Sequence, residues 1–477
     1  MVSTAPDRLA GQVGDEVHSP DLAGNLFPVA DELDVEDCRV TGQIPDGLRG
    51  RFVRNGPNPL FAPIGTYHMF DGDGMLHGVT FEDGRVAYRN RWIRSRGLGA
   101  EVAHGGAVYP GLADVMAFPD PALTGDAGPV KNPANTHLIA HAGRWLALWE
   151  GGLPTEVTPE LATVGEYDFG GALTGSMTAH PRLDPRTGEM CFFGYSLFAP
   201  FLRYHEVDAD GVLRHSIDLE LPAPVMMHDM VLTEDHAVFL DSPVVFDIAN
   251  LGNGPMVRWM PENGTRIGVL PRRGQATDIR WFEIEPGHVQ HFWSGWDDGH
   301  RVEFLGSRFD APDFGVGDHD DPRAEAEAGR PARFWVDLDA GTAGWEPMDD
   351  LPGDFNRINP DLDGLRVRHL YMSACLEPGR RLGDFDAVVK YDDATGQRSE
   401  WRSGPAGHVG ESVFAPDPAG TAEDDGWLLN IVYDAERDTS DLVVLDARDL
   451  PAGPLAVVHL PRRVPFGFHA NWFPAGA

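Results

Sequence analysis

Four histidines of this 477-residue chain stand in unusual local settings, and imidazole can serve either acid–base chemistry or metal ligation. His180 lies in Thr178-Ala179-His180-Pro181 and His228 in Met226-Met227-His228-Asp229-Met230. His291 opens His291-Phe292-Trp293-Ser294-Gly295-Trp296-Asp297, and His469 closes Pro465-Phe466-Gly467-Phe468-His469. Successive members are 48, 63 and 178 residues apart, so no helix face or short loop carries them together. Taken singly, each reads as a hydrogen-bonded core histidine, and spacing alone assigns no metal to them. They form a set only if the fold brings distant strand ends to one axis. Other chemistry is not signalled: the chain has no GxSxG elbow, no GxxxxGK[ST] phosphate loop, no HExxH and no EF-hand loop.

The elements that must position these residues read as strands. Gly 56 and Pro 39 punctuate the chain too often for long helices. Phe81-Glu82-Asp83-Gly84-Arg85-Val86-Ala87-Tyr88 is a hairpin with Asp83-Gly84 suited to a type I′ turn. Further turns fall at Asp184–Gly188, Asp210-Gly211 and Asp392–Gly396, and Gly426–Tyr433 pairs with Leu442–Leu445. No long segment keeps a 3.6 period, and the acidic stretch Asp318–Arg330 reads as a loop or short helix. An all-β chain of this length fits a propeller or a large sandwich, although no clean fixed-period repeat selects between them.

Composition narrows the partners. The formal net charge is −36, which repels phosphate backbones and excludes nucleic acid as a partner. Only Lys131 and Lys390 are lysines, a compositional bias rather than a function. Cys38, Cys191 and Cys375 form no CxxC, so neither a disulfide framework nor a thiolate zinc site is expected. Residues 1–20 lack the apolar core of a signal peptide, and no run of 18 apolar residues occurs. The expectation is a cytoplasmic globular protein.

An ordered series of motifs resembles the carotenoid cleavage oxygenase family across nearly the whole chain. It starts at Gly42-Gln43-Ile44-Pro45 and Gly50-Arg51-Phe52-Val53-Arg54-Asn55-Gly56-Pro57-Asn58-Pro59, then His68-Met69-Phe70-Asp71-Gly72-Asp73-Gly74-Met75-Leu76-His77. It continues through Leu146-Ala147-Leu148-Trp149-Glu150-Gly151-Gly152, the His180 and His228 motifs, Gly410-Glu411-Ser412-Val413-Phe414, Glu423-Asp424-Asp425-Gly426 and the His469 motif. The resemblance implies one seven-bladed β-propeller over residues 1–477, with residues 1–25 as a peripheral arm and a helical and loop cap over one face. It implies a non-haem Fe(II) on the propeller axis held by His180, His228, His291 and His469. Four neutral ligands leave the ion its full charge and, in octahedral geometry, two open positions. In this family three glutamates orient the last three histidines. Glu150 and Glu411 match two of them, and Asp354 stands in for the third within Asp354-Phe355-Asn356-Arg357-Ile358-Asn359. Being one methylene shorter, Asp354 is expected to reach His291 less well or through a water, so that Asp354→Glu would preserve or tighten iron binding. After His291, Ser294-Gly295 departs from the family's usual Asn-Ala.

The activity that the resemblance implies is cleavage of a conjugated C=C bond of a carotenoid or apocarotenoid with O₂, giving two carbonyl products. The alternatives are a lignostilbene or hydroxystilbene dioxygenase, and a non-cleaving isomerase or binding homologue. Stilbene cleavers carry a lysine just before the orienting glutamate; here that position is Trp149, which favours the apocarotenoid type. Phe61, Phe70, Trp92, Trp149, Met226, Phe292 and Trp293 are candidates to line a substrate tunnel. Ala107–Leu112 with Val115–Phe118, and separately Leu197–Leu202, are candidate apolar entrances for peripheral membrane contact, which the negative charge would keep shallow. Oligomeric state is not legible.

Overall fold

The structure, a computed structural model, describes residues 20–114, 117–248, 256–312, 329–377 and 384–476. Residues 1–19 of the expected arm, Val115 and Met116 of the first candidate entrance, and residues 318–328 of the acidic stretch lie outside them.

Seven antiparallel sheets of four or five strands make a propeller. Local chemistry sets the hairpins: Asp83 and Gly84 take φ of 50° and 76°, so the type I′ turn expected there joins Gly74–Glu82 to Arg85–Trp92. Burial follows position in the blade. Leu213–Glu220, at one sheet edge, alternates partly buried and exposed residues, whereas Gly426–Asp434 is buried along almost its whole length. The apolar clusters fill the spaces between blades. Phe304 and Phe334 stack at 5.0 Å in one of them, and burying each such ring contributes about 1.5–3 kcal/mol.

Six blades open with their innermost strands, and in the first blade the innermost strand comes last in the chain. These are His137–His141, Arg182–Leu183, Val231–Leu232, His288–Asp297, Gly353–Arg357, Gly407–Pro416 and, for the first blade, Ala470–Pro474. The ring closes from both ends of the chain. Ala470–Pro474 pairs with Gly50–Pro57, and Val40–Gly42 pairs with Pro454–His459 on the outside of the last blade. A two-stranded ribbon, Val244–Phe246 with Val257–Trp259, stands beside the fourth blade.

Helical content is small among the described residues. Helix Arg96–His104 starts where Ser95 Oγ accepts from Leu98 N and stops at Gly105, whose φ is 84°. Pro121–Thr124 is a single turn. Both belong to the long connection between the first and second blades. No helix among the described residues is long and apolar enough to cross a membrane.

Candidate metal centre

Six of the seven innermost strands contribute a residue just before or within them, and these residues converge. His180, His228 and His469 precede Arg182–Leu183, Val231–Leu232 and Ala470–Pro474; His291, Asp354 and Glu411 lie within the next three. Glu150 follows the second strand of the second blade, Arg144–Leu148. The ligand nitrogens of the four histidines all lie within 4.8 Å of one another. The ring of His180 stands 4.4, 4.9 and 4.4 Å from those of His228, His291 and His469.

Carboxylates fix three of the four rings. Nδ1 of His228 meets Glu150 Oε2 at 2.6 Å, Nδ1 of His291 meets Asp354 Oδ1 at 2.9 Å, and Nδ1 of His469 meets Glu411 Oε1 at 2.9 Å. An Nδ1–H donated to a carboxylate leaves the Nε2 lone pair as the coordinating face. Asp354 thus reaches its histidine directly, not loosely or through water. The reason lies in its strand: the register with the neighbouring strand shifts between Asp354 and Arg357, and Phe355 takes a left-handed φ of 57°. That bulge carries the shorter side chain inward, and the gap that Asp354→Glu was expected to close is absent.

Several positioning residues were not legible in the sequence. Tyr195 donates its hydroxyl to the other oxygen of Glu150 at 2.7 Å. Thr178 ties two loops together, donating to the His228 carbonyl at 2.9 Å and accepting from His180 N at 3.1 Å. Asn356 donates to the His291 carbonyl at 2.7 Å. Arg357 clamps both oxygens of Glu411 at 2.9 and 2.8 Å. His137, at the head of the seventh innermost strand, places Nδ1 2.7 Å from the Ala179 carbonyl and accepts from Asn471 Nδ2 at 3.0 Å. The only sequence signal for these residues was proximity to a motif, as with Thr178, Asn356 and Arg357.

The electrostatics keep Glu411 charged and His180 and His469 neutral. Burial pushes Glu411 up, but Arg357 and His469 overcome it and hold the carboxyl well below its usual range. Burial first, then the neighbouring histidine rings, drives His180 far below an ordinary histidine, and burial lowers His469 to about 4 against the pull of Glu411. His291 goes the other way: burial lowers it, and the Asp354 carboxylate more than compensates. Nε2 of His180 and Nε2 of His291 are both buried without a hydrogen-bond partner. Each orphaned ring nitrogen costs about 1–3 kcal/mol. A shared cation resolves both at once, so the donor set fits a metal ion with a preference for imidazole.

A cavity whose lining includes none of the four histidines or three carboxylates is reached through residues next to them in sequence or contact. Phe61, Phe70 and Trp149 line it together with Tyr67, Tyr109 and Lys131. Trp149 adjoins Glu150 in sequence, and Phe70 meets Phe468, the neighbour of His469, edge-on at 5.5 Å. Lys131 is tied to Asp73 and Glu101 at 2.5 and 2.7 Å in the same wall. Four of the candidate tunnel residues sit elsewhere. Trp92 packs behind Phe61 and donates Nε1 to the Asn58 carbonyl at 2.9 Å. Phe292 and Trp293 fill spaces between blades, and Met226 packs on the ribbon residues Val244 and Phe246. Tyr109, Leu112 and Phe118 of the first candidate entrance line the cavity; none of Leu197–Leu202 does.

Known proteins resemble this chain in sequence and fold. The family model described as retinal pigment epithelial membrane protein matches residues 26–474. A carotenoid cleavage oxygenase of Mycobacterium tuberculosis is 36% identical, over 96% of this chain and 98% of that protein. The crystal structure of a Pseudomonas brassicacearum lignostilbene dioxygenase superposes with a TM-score of 0.90 at 31% identity, covering 96% of this chain and 99% of its own. A cobalt-substituted Synechocystis apocarotenoid oxygenase superposes with a TM-score of 0.83 at 30% identity, covering 94% and 97%. With a propeller closed at both ends, four converging histidines and matches over nearly its full length, the chain belongs to the carotenoid cleavage oxygenase family.

Proposed function

We propose that this protein is an iron(II) oxygenase that cleaves a conjugated C=C bond of an apocarotenoid-type polyene with O₂ to give two carbonyl products. The observation that carries this reading is the convergence of four histidine nitrogens within 4.8 Å, three of the rings being fixed by carboxylates. His180, His228, His291 and His469 would hold the iron, and Glu150, Asp354 and Glu411 would orient three of them. Bound there, iron(II) supplies the means to activate O₂ beside a double bond. The chain's own residues then bind and align the substrate: Phe61, Phe70 and Trp149 offer aromatic faces to a polyene. Ile64, Phe118 and Val130, 44%, 64% and 56% exposed, rim the same cavity and support entry of the substrate from an apolar phase.

A second reading, cleavage of a hydroxystilbene, is favoured by the 0.90 superposition on a lignostilbene dioxygenase. Aerobic incubation of Fe(II)-loaded protein with carotenoids, apocarotenals and 4-hydroxystilbenes, followed by LC–MS, separates the two. New aldehydes from the polyenes are expected. Benzaldehyde-type products would move the protein to the stilbene branch, and unchanged substrates with iron bound would overturn both readings.

A further inference from the structure

The motif residues Arg54, Gly56 and Gly467 play no part in the iron site, yet they build an unusual environment. Arg54, on the strand Gly50–Pro57, is 7% exposed, and its Nε is buried without a partner. No carboxylate pairs with it among the described residues. Arg308, the other arginine buried to this degree, pairs with Asp310. Acids are not scarce, at 74 against 38 basic residues, but those nearby are already taken. Arg357 and His469 hold Glu411, Arg463 pairs with Asp438, Arg462 with Asp31, and His408 with Asp384. A guanidinium stays protonated in proteins, and burying its charge unpaired costs several kcal/mol.

The guanidinium has room made for it. A Cβ on Gly467 would stand 1.8 Å from Arg54 Nη1, and one on Gly56 would stand 3.2 Å from it. A small cavity, open in part to solvent, lies alongside, lined by Arg54, Asn25, His408, Tyr433, Glu411 and Phe466 among others. The side-chain Oδ1 of Asn25 is a second buried atom there without a partner. Amide rotation would present its NH₂ instead, giving two sets of donors on one space. The field is positive locally: His77, directly across the ladder from Arg54, is driven far down by burial and then by Arg54, Arg462 and Arg463. Burial lowers Arg54 itself to about 10, with only Tyr88 opposing.

We propose that this cavity is a binding site for a small monovalent anion, a halide or a small carboxylate, held by the Arg54 guanidinium with Asn25. The anion supplies the counter-charge that the chain omits, behind the segment Phe466–His469 whose backbone pairs with Asn55. Glu411 lines the same cavity, but Arg357 pairs with both oxygens of its carboxylate and His469 donates to one of them, so it does not close the site to an anion.

Crystals of the full chain soaked in sodium bromide test this directly through anomalous scattering. A bromide peak within hydrogen-bonding distance of the Arg54 guanidinium is expected; ordered water or an empty space there at about 0.5 M bromide overturns the site. In solution at constant ionic strength, chloride and formate in place of gluconate should raise the melting midpoint saturably, by about 1–2 °C, and Arg54→Met should remove the rise. A chloride-only or formate-only response identifies which anion is preferred, and an equal response in wild type and Arg54→Met overturns the proposal. Should Arg54→Met fail to fold, the bromide density in the wild type decides alone.

Discussion

Glu411 is the most heavily used carboxylate of the site, accepting from His469, from Arg357 twice and from the Ala470 amide. Glu411→Gln keeps the size but removes the charge that sets the His469 tautomer. Iron affinity is expected to fall about 10–100-fold, measured by anaerobic titration with a competing chelator. Asp354→Asn is expected to cost a similar factor through His291. Tyr195→Phe leaves Glu150 with one partner fewer and is expected to lower affinity by less than either. At this scale the four histidines and three carboxylates were readable only through the family resemblance of the motifs that hold them, not through their spacing. Tyr195 and His137 were not: they act from positions 45 and 42 residues away from the residues they hold, with nothing local to mark them.

Strand irregularity does the positioning at the scale of elements. The strand His288–Asp297 shifts register on both sides of Phe292, and Gly353–Arg357 shifts between Asp354 and Arg357. These bulges aim His291 and Asp354 at each other across 63 positions of sequence. Asn356 stabilises the turn, donating to the His291 carbonyl and accepting from Ser307 Oγ at 3.0 Å. Asn356→Pro removes both bonds and places a proline after Phe355, whose left-handed φ a following proline disfavours. The variant is expected to lose about 1–3 kcal/mol, read from the urea midpoint, and to hold iron less firmly. Hairpins such as Asp83-Gly84 were legible because turn chemistry is local. The reach of Asp354 was not, because side-chain length says nothing about where a bulge carries the backbone.

For the whole molecule, closure from both ends couples the centre to the fold. His469 precedes the strand that completes the first blade, so breaking the ring and displacing a histidine are one event. The seven blades were not legible as a repeat, since their strands share neither sequence nor one burial pattern; the resemblance, not the periodicity, pointed to them. Stability also depends on histidines far from the axis. His205, buried and paired with Ser216, is lowered by burial to about 4, and His77 lies far below its ordinary value. Both stay neutral in the fold while their unfolded counterparts protonate below about pH 6.5. The unfolded state therefore binds more protons, and stability falls as pH drops from about 6.5 toward 4, by about 1.4 kcal/mol per pH unit for each such group. Denaturation across that window should show this slope, and His205→Gln should reduce it.

Whether four histidines from distant blades make one iron centre is decided by anaerobic titration of metal-free protein with Fe(II). One equivalent is expected to bind tightly to the wild type, and tight binding should be lost in His180→Ala, His228→Ala, His291→Ala and His469→Ala alike. A wild type that binds no iron, or alanine variants that bind it as the wild type does, would contradict the account.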